Sequence, residues 1–313
     1  MDEARTVAVI DVGSNSIKYI LGGLNTDGTL KTIADENDIA RLGEGLRETG
    51  VISPEAMERN IAAISVFANK ARDAGADEIR CVGTMALRNA GNTADFIRRV
   101  KDTADITLSV IPGEEEARLS YMAVLSGLGA VGDGGVAVFD TGGGSTEFVF
   151  GEGDEIKKRF SIDLGAIRIT EKHFTSDPVT PESVENALAE IMDDLADGGL
   201  EGSPSKLVGI GGTVTSMGAV KHKMEKYDPD IIQGSKLTRA DVEAQIADYS
   251  AKTLEERKAV TGLQPRRADV ILAGACILKA ILTRLNADEL TVSDRGLRHG
   301  MAYELLSKPR ARV

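Results

Sequence analysis

The chain has 313 residues, 42% hydrophobic and 27% charged, with a formal net charge of −12. That length suggests about two domains, and the composition supplies enough apolar material for a core. The acidic balance argues against nucleic acid as a partner, because such affinity comes mostly from lysine and arginine on phosphates. No apolar run reaches the roughly 18–20 residues of a membrane span, so no membrane association is expected.

The opening MDEART runs straight into an apolar stretch and lacks a signal-peptide pattern. A strand is predicted at 5–11, a loop at 12–16, a strand at 17–24, a turn at Asn25–Gly28 and another strand near 29–34. SPEAMERNIAAISVFANKARDAG (53–75) predicts a helix, with Ser53 as cap and Pro54 at the first helical position. Strands follow at 78–84 and 106–112, with helices at 92–105 and 113–128, the last opening on three glutamates. After a glycine-rich break at 132–135 the pattern restarts as a hairpin at 136–162. A helix at 181–196, a strand at 206–210 and a glycine turn GIGGT come next. Helices near 239–251 and 253–261, a long apolar helix at 267–286, a strand at 289–294 and a last helix at 297–307 complete the chain. Alternating strands and helices in each half favour α/β layers. Cys81 and Cys276 lack metal spacing and read as buried thiols in a reducing cytoplasm. His173, His222 and His299 share no motif, so no zinc site is expected. The basic clusters at 157–159, 221–223, 266–267, 295–299 and near the C-terminus read singly as solvated faces.

Two stretches repeat one layout: VAVIDVGSNSIKYIL at 7–21 and VAVFDTGGGSTEFVF at 136–150. Aligning Asp11 with Asp140 puts Gly13 on Gly142 and Ser16 on Ser145. A glycine-rich turn between strands can point successive N–H groups at an anion, with Ser14, Ser16, Ser145 and Thr146 adding hydroxyls. Asp11 and Asp140 would repel a bare phosphate. A magnesium ion resolves that, since hard cations bind one or two carboxylates together with phosphate oxygens and waters. Either loop alone could be no more than a tight hairpin turn; the repetition favours a phosphate–metal cleft.

IDVGSNSIK and FDTGGGSTE resemble the two phosphate loops of the exopolyphosphatase/guanosine pentaphosphate phosphatase (Ppx/GppA) family. So, in family order, do GTMALRNAGN (83–92), VIPGEEEARLSY (110–121), LGAIRITE (164–171), GIGGTVTS (209–216), LQPRRADVILAGACIL (263–278) and VSDRGLRHG (292–300). The resemblance covers about the whole chain and is to the short, two-domain form. It implies two similar α/β domains of the sugar kinase–Hsp70–actin superfold, ribonuclease H-like, with an interdomain cleft. Residues 1–124 with the C-terminal helix at 298–313 would form one domain and 125–297 the other. The implied activity is hydrolysis of terminal phosphate from inorganic polyphosphate; the alternative is removal of the 5′-terminal phosphate from guanosine pentaphosphate. A homodimer is compatible with the resemblance.

The same resemblance implies the site. Glu116, the last glutamate before Ala-Arg, matches the catalytic one, while Glu114 and Glu115 suit the positive end of their helix. Asp11, Asp140 and Glu147 would hold Mg2+ or another divalent cation, although Glu147 could equally be a strand residue facing solvent. Gly13, Ser14, Asn15 and Ser16, with Gly142, Gly143, Gly144, Ser145 and Thr146, would donate to phosphates. Arg88 could fork onto phosphate or form a surface salt bridge. Gly211, Gly212 and Thr213 would shape the far wall of the cleft, where a nucleotide could sit, and Arg267 and Arg295 are read as structural ions. Met85 stands where many relatives carry a small polar residue. A small-molecule kinase and a non-catalytic nucleotide-binding protein are the other classes that share this superfold and its loops.

Overall fold

Val7–Val12 (β1) is buried along its whole length, as a strand covered on both faces must be, and the first unit is arranged around it. In the computed structural model, residues 5–308 are described apart from 27, 129–134 and 154. Ile17–Leu24 (β2) and Leu30–Asp38 (β3) continue β1 as an antiparallel meander. Then come Leu46–Thr49 (α1), Pro54–Asp73 (α2), Glu78–Gly83 (β4), Met85–Asn89 (α3), Thr93–Ala104 (α4), Leu108–Val110 (β5) and Gly113–Leu128 (α5). The sheet order is β3-β2-β1-β4-β5, with β4 parallel to β1 and β5 parallel to β4. The Ser53 hydroxyl accepts from the Ala56 N–H at 3.1 Å and Pro54 opens α2. In the turn after β2 the Gly28 N–H binds the Asn25 carbonyl at 3.0 Å; Asp27 within it lies outside the described residues.

The second unit repeats the plan. Val136–Thr141 (β6), Thr146–Glu152 (β7) and Glu155–Ile162 (β8) form the meander. Ala166–His173 (α6), Pro181–Asp197 (α7), Lys206–Ile210 (β9), Gly211–Lys221 (α8), Pro229–Ile232 (α9), Lys236–Thr238 (β10) and Arg239–Ser250 (α10) follow. Leu254–Lys258 (α11), Ile271–Arg284 (α12) and Glu289–Val292 (β11) complete this unit, and Leu297–Ser307 (α13) returns to the first. The second sheet runs β10-β11-β9-β6-β7-β8, with β9 parallel to β6. The chain divides into two compact units, Met1–Ser126 with Gly296–Val313, and Gly127–Arg295.

In each unit the third strand of the meander is a sheet edge and carries the charge that such an edge needs against further pairing. On β8, Lys157 pairs with Glu155 at 2.6 Å, and Lys158 donates to the Gly199 carbonyl at 2.9 Å. The basic run at 157–159 therefore belongs to an edge strand. The C-terminal basic cluster lies outside the described residues beyond Lys308, as does the glycine-rich break at 132–135 apart from Gly135.

One face of β1 meets α2 and α4 through Ile10 and Val12, with Tyr19 of β2 stacked on Phe67 at 5.1 Å. The other face, through Val7, Val9 and Ile20, is covered by Ala302 and Leu306 of α13. The second core surrounds α12, whose residues from Ile271 to Leu278 are all buried.

Several expectations are revised. GIGGT is not only a turn, since Gly209 lies in β9 and Gly211 and Gly212 open α8. The long apolar helix begins at Ile271, after a separate 3-10 turn at Pro265–Arg267. The short helices α1, α3, α6 and α9 were not distinguished in the sequence, because four to eight residues hold too few turns to display a period.

The docking of α13 is fixed by charge as well as by apolar contact. Arg298 grips Asp35 of β3 with two bonds of 2.8 Å, and His299 Nε2 lies 3.0 Å from the same carboxylate. Burial raises the Asp35 carboxyl, but Arg298 and His299 outweigh it and hold it down at about 2. A depressed carboxyl binds its proton more readily in the unfolded chain. The clamp thus contributes fully above the ordinary value of 3.8 and is lost as the pH falls through about 2. Asp35→Asn should lower the thermal midpoint at neutral pH and flatten its decline across that acid window. Parallel melting curves for the two proteins would contradict the assignment.

Candidate active site

In the first unit, Asp11, the last residue but one of β1, is buried and lies opposite Lys18 on β2, their charged atoms 3.9 Å apart. Burial, together with the Asp11 carboxylate, pushes the neighbouring Cys81 thiol far above its usual range. The turn from Gly13 to Ser16 is closed by the Gly13 N–H donating to the Ser16 carbonyl at 3.1 Å. Ser14, Asn15 and Ser16 are all buried. The N–H groups of Asn15 and Ser16 form no hydrogen bond with any described residue, which leaves them available to an anion.

Helix α3 begins against this turn. The Thr84 N–H donates to the Val12 carbonyl at 3.2 Å, and the Ser14 hydroxyl lies 3.9 Å from Met85 Sδ. One turn later Arg88 donates through Nη1 to the Ile111 carbonyl at 3.0 Å and to Glu116 Oε2 at 2.9 Å. Glu116 is 8% exposed and stands in the first turn of α5. Of the three glutamates there, Glu115 pairs with Arg118. Two residues singled out in the sequence, Arg88 and Glu116, thus meet as an ion pair.

In the second unit Asp140 is the last residue but one of β6 and Glu147 lies directly opposite it on β7, the two being 8% and 2% exposed. Directly opposed residues share a face of the sheet, where like charges repel. Glu147 is buried and takes a bond from the Ser161 hydroxyl at 2.9 Å, so it does not face solvent. Among the described residues no group of three or more His, Cys, Asp or Glu is gathered for a metal. Two buried carboxylates suit a hard divalent cation that completes its shell with waters and phosphate oxygens, and the Asp140–Glu147 pair is compatible with one.

Gly142 to Ser145 repeats the first turn: the Gly142 N–H donates to the Ser145 carbonyl at 2.9 Å. The N–H groups of Gly143 and Gly144 likewise form no hydrogen bond with described residues. Thr146 is turned inward, its hydroxyl donating to the Leu164 carbonyl at 2.6 Å; that hydroxyl is engaged with the backbone.

Helix α8 starts beside Asp140. Gly211 adopts a φ of +87°, and a Cβ there would come under 3.0 Å from Asp140 Oδ1. Gly212 lies flat under the Arg267 guanidinium, and Thr213 packs against Gly274. Arg267 is 7% exposed, and its side chain makes no hydrogen bond or ion pair with any described residue. Burial draws its guanidinium below the ordinary value, while Tyr227 and the charges of Asp269 and Asp140 oppose that. Reading Arg267 as a structural ion passed over this. The available signal was an arginine placed four residues before the apolar run that opens a helix at Ile271–Leu278. Arg295 is also partly buried and lies against Gly127.

Known proteins share this architecture. Residues 24–309 match the model of the Ppx/GppA phosphatase family. The chain belongs to that family. It is 34% identical to Exopolyphosphatase 2 of Mycobacterium tuberculosis, over 96% of this chain and 98% of that one. It is also 34% identical to the guanosine-5′-triphosphate,3′-diphosphate pyrophosphatase of Vibrio cholerae, over 96% of this chain but 59% of the relative. The crystal structure of the Aquifex aeolicus Ppx/GppA family member superimposes with a TM-score of 0.84 at 32% identity, covering 99% and 100% of the two chains.

As a Ppx/GppA phosphatase, the chain is an enzyme of the hydrolase class, and both of its units are built of α/β layers. No helix among the described residues is long and apolar enough to cross a membrane. In this family context the contact between Gly211 and Asp140 is open to a direct test. Gly211→Ala would need a left-handed backbone, at a cost of about 1–3 kcal/mol, and would displace the Asp140 carboxylate. The midpoint of urea unfolding should fall accordingly, and activity should fall further than stability does. A variant with wild-type stability would contradict the contact.

Proposed function

We propose that this chain is a metal-dependent exopolyphosphatase that releases orthophosphate from the terminus of inorganic polyphosphate. The observation that carries the reading is the buried Glu116 carboxylate of α5, held at 2.9 Å by Arg88 of α3, the helix that begins against the first loop. Hydrolysis of a phosphoanhydride needs water delivered to the terminal phosphorus, a base for its proton and donors for the oxygens. Phosphoryl transfer is otherwise mostly positioning and electrostatics.

In this mechanism Glu116 takes a proton from the attacking water as the new P–O bond forms and the bond to the bridging oxygen breaks. The products are orthophosphate and a chain one unit shorter. Arg88 holds the Glu116 carboxylate in one orientation. Asn15 and Ser16 in one loop, and Gly143 and Gly144 in the other, offer N–H groups to phosphoryl oxygens, with the hydroxyls of Ser14 and Ser145 beside them. Arg267 brings positive charge to the α8 end of the second unit, where Gly211, Gly212 and Thr213 form the wall. Asp140 and Glu147 would hold Mg2+ or another divalent cation, which when bound neutralises charge on the phosphates.

Polyphosphate is placed ahead of guanosine pentaphosphate because the M. tuberculosis exopolyphosphatase matches this chain along nearly all of both lengths. The V. cholerae pyrophosphatase is matched over only 59% of its own length. We further read the protein as cytoplasmic, and as compatible with a homodimer.

Phosphate release from polyphosphates of several lengths and from guanosine pentaphosphate, with and without magnesium, tests the assignment. The expected order is polyphosphate first and no release without the metal. Faster release from guanosine pentaphosphate would reverse the substrate assignment. Glu116→Gln keeps an oxygen for Arg88 but cannot act as a base. It should cut kcat by about 10²–10⁴-fold while leaving KM within a few-fold. A kcat within threefold of wild type would remove Glu116 from its role.

A further inference from the structure

A glycine-rich turn has little conformational preference of its own, so something else must decide which way its peptide groups face. In the second unit that constraint comes from the short segment between β8 and α6. The Ala166 N–H donates to the Gly142 carbonyl at 3.0 Å, and the Ile167 N–H to the Gly143 carbonyl at 2.8 Å. Both are N–H groups of the first turn of α6, which no helical carbonyl can take. Between β8 and these donors, Gly165 lies flat on the loop: a Cβ there would come under 3.0 Å from Gly143 O, Gly143 C and Gly144 N. Its backbone is extended, with φ −144° and ψ 162°, which any residue can adopt. Glycine is needed at 165 for space alone.

The geometry of the peptide converts these bonds into a direction. In a planar trans peptide the carbonyl and the following N–H point opposite ways. With the carbonyls of Gly142 and Gly143 tied to α6, the N–H groups of Gly143 and Gly144 face away from it. Those are the N–H groups without a partner among the described residues. A reversed peptide would instead offer a carbonyl oxygen to an anion and repel it.

The first unit uses the same device with different parts. The Gly43 N–H donates to the Ser14 carbonyl at 2.8 Å and the Arg41 N–H to the Asn15 carbonyl at 2.9 Å. A Cβ at Gly43 would stand 3.1 Å from the Ser14 Cβ. These residues follow β3 as Gly165 to Ile167 follow β8, and the N–H groups they turn outward are those of Asn15 and Ser16. The register differs by one residue and the second unit braces with a helix where the first uses a loop, yet the outcome is the same.

We propose that the Leu164–Ile167 segment is a brace that aims the Gly143 and Gly144 N–H groups at phosphoryl oxygens, with Gly165 as a positioning residue; this rests on the phosphohydrolase reading. Ala166→Pro is the sharpest probe. It removes the N–H bound to Gly142 at the first helical position, where proline is well tolerated. The residue before it is already extended, as proline requires. Ala166→Gly keeps the N–H and serves as the conservative control.

The probe ligand is inorganic tripolyphosphate, titrated calorimetrically into the full-length protein in a Glu116→Gln background to prevent turnover. Ala166→Pro and Gly165→Ala should each raise Kd about tenfold or more and raise KM by a similar factor with Glu116 restored. Ala166→Gly should stay within twofold. Folded Ala166→Pro and Gly165→Ala proteins that bind like wild type would overturn the proposal. If either variant does not fold, the Gly143 and Gly144 amide resonances of the unmutated protein decide. They should move downfield on adding tripolyphosphate, and unmoved resonances overturn the proposal. The two readings fail separately. Shifted amides without phosphate release from either substrate would retire the hydrolase reading and keep the brace, whereas release with unmoved amides would do the reverse.

Discussion

A strand buried on both faces can carry charge only at its end, and both units of this protein are built on such a strand. β1 and β6 are closed to water along their length, so Asp11 and Asp140 sit where apolar packing gives way to a turn. Their immediate surroundings differ. Asp11 has a lysine across the ladder, whereas Asp140 has a second carboxylate. An acid facing an acid in a buried setting needs positive charge from elsewhere. Arg267 and the N-terminal end of α8 supply part of it, and a bound cation would supply the rest.

The turns that follow these strands are useful because their carbonyls are committed. A backbone that may face either way is a poor anion receptor, since half of its orientations present oxygen. Tying the carbonyls to a neighbouring segment removes those orientations before any ligand arrives, which is the sense in which such a site is preorganised. The same logic applies to Glu116. A carboxylate on the first turn of a helix has several rotamers, and the bond from Arg88 selects one.

The family resemblance and the repeated loops were legible in the sequence because both depend on short-range spacing: an aspartate, a glycine two residues on, then hydroxyls. The basic run at 157–159 was legible as a solvated face, and only the sheet order showed that it lies on an edge strand. Helix α8 was not legible. Its sequence, GGTVTSMGAVK, combines glycines with β-branched residues of low helical preference, and burial of Val214 and Met217 in the core overrides that preference. Thr146 shows the opposite kind of failure. Its type and spacing suited a phosphate donor, but the packed segment after β8 engaged its hydroxyl.

Composition and local pattern by themselves therefore determined the α/β class, the two matching turns after β1 and β6 and the aspartates beside them, since each is written within a dozen residues. Only the tertiary structure decided that Arg88 meets Glu116, that Gly165 lies on Gly143 and that Arg267 covers Gly212. Those pairs are distant along the chain, and no local preference of either member encodes its partner. They meet because burying the two cores leaves the backbone few other ways to fold.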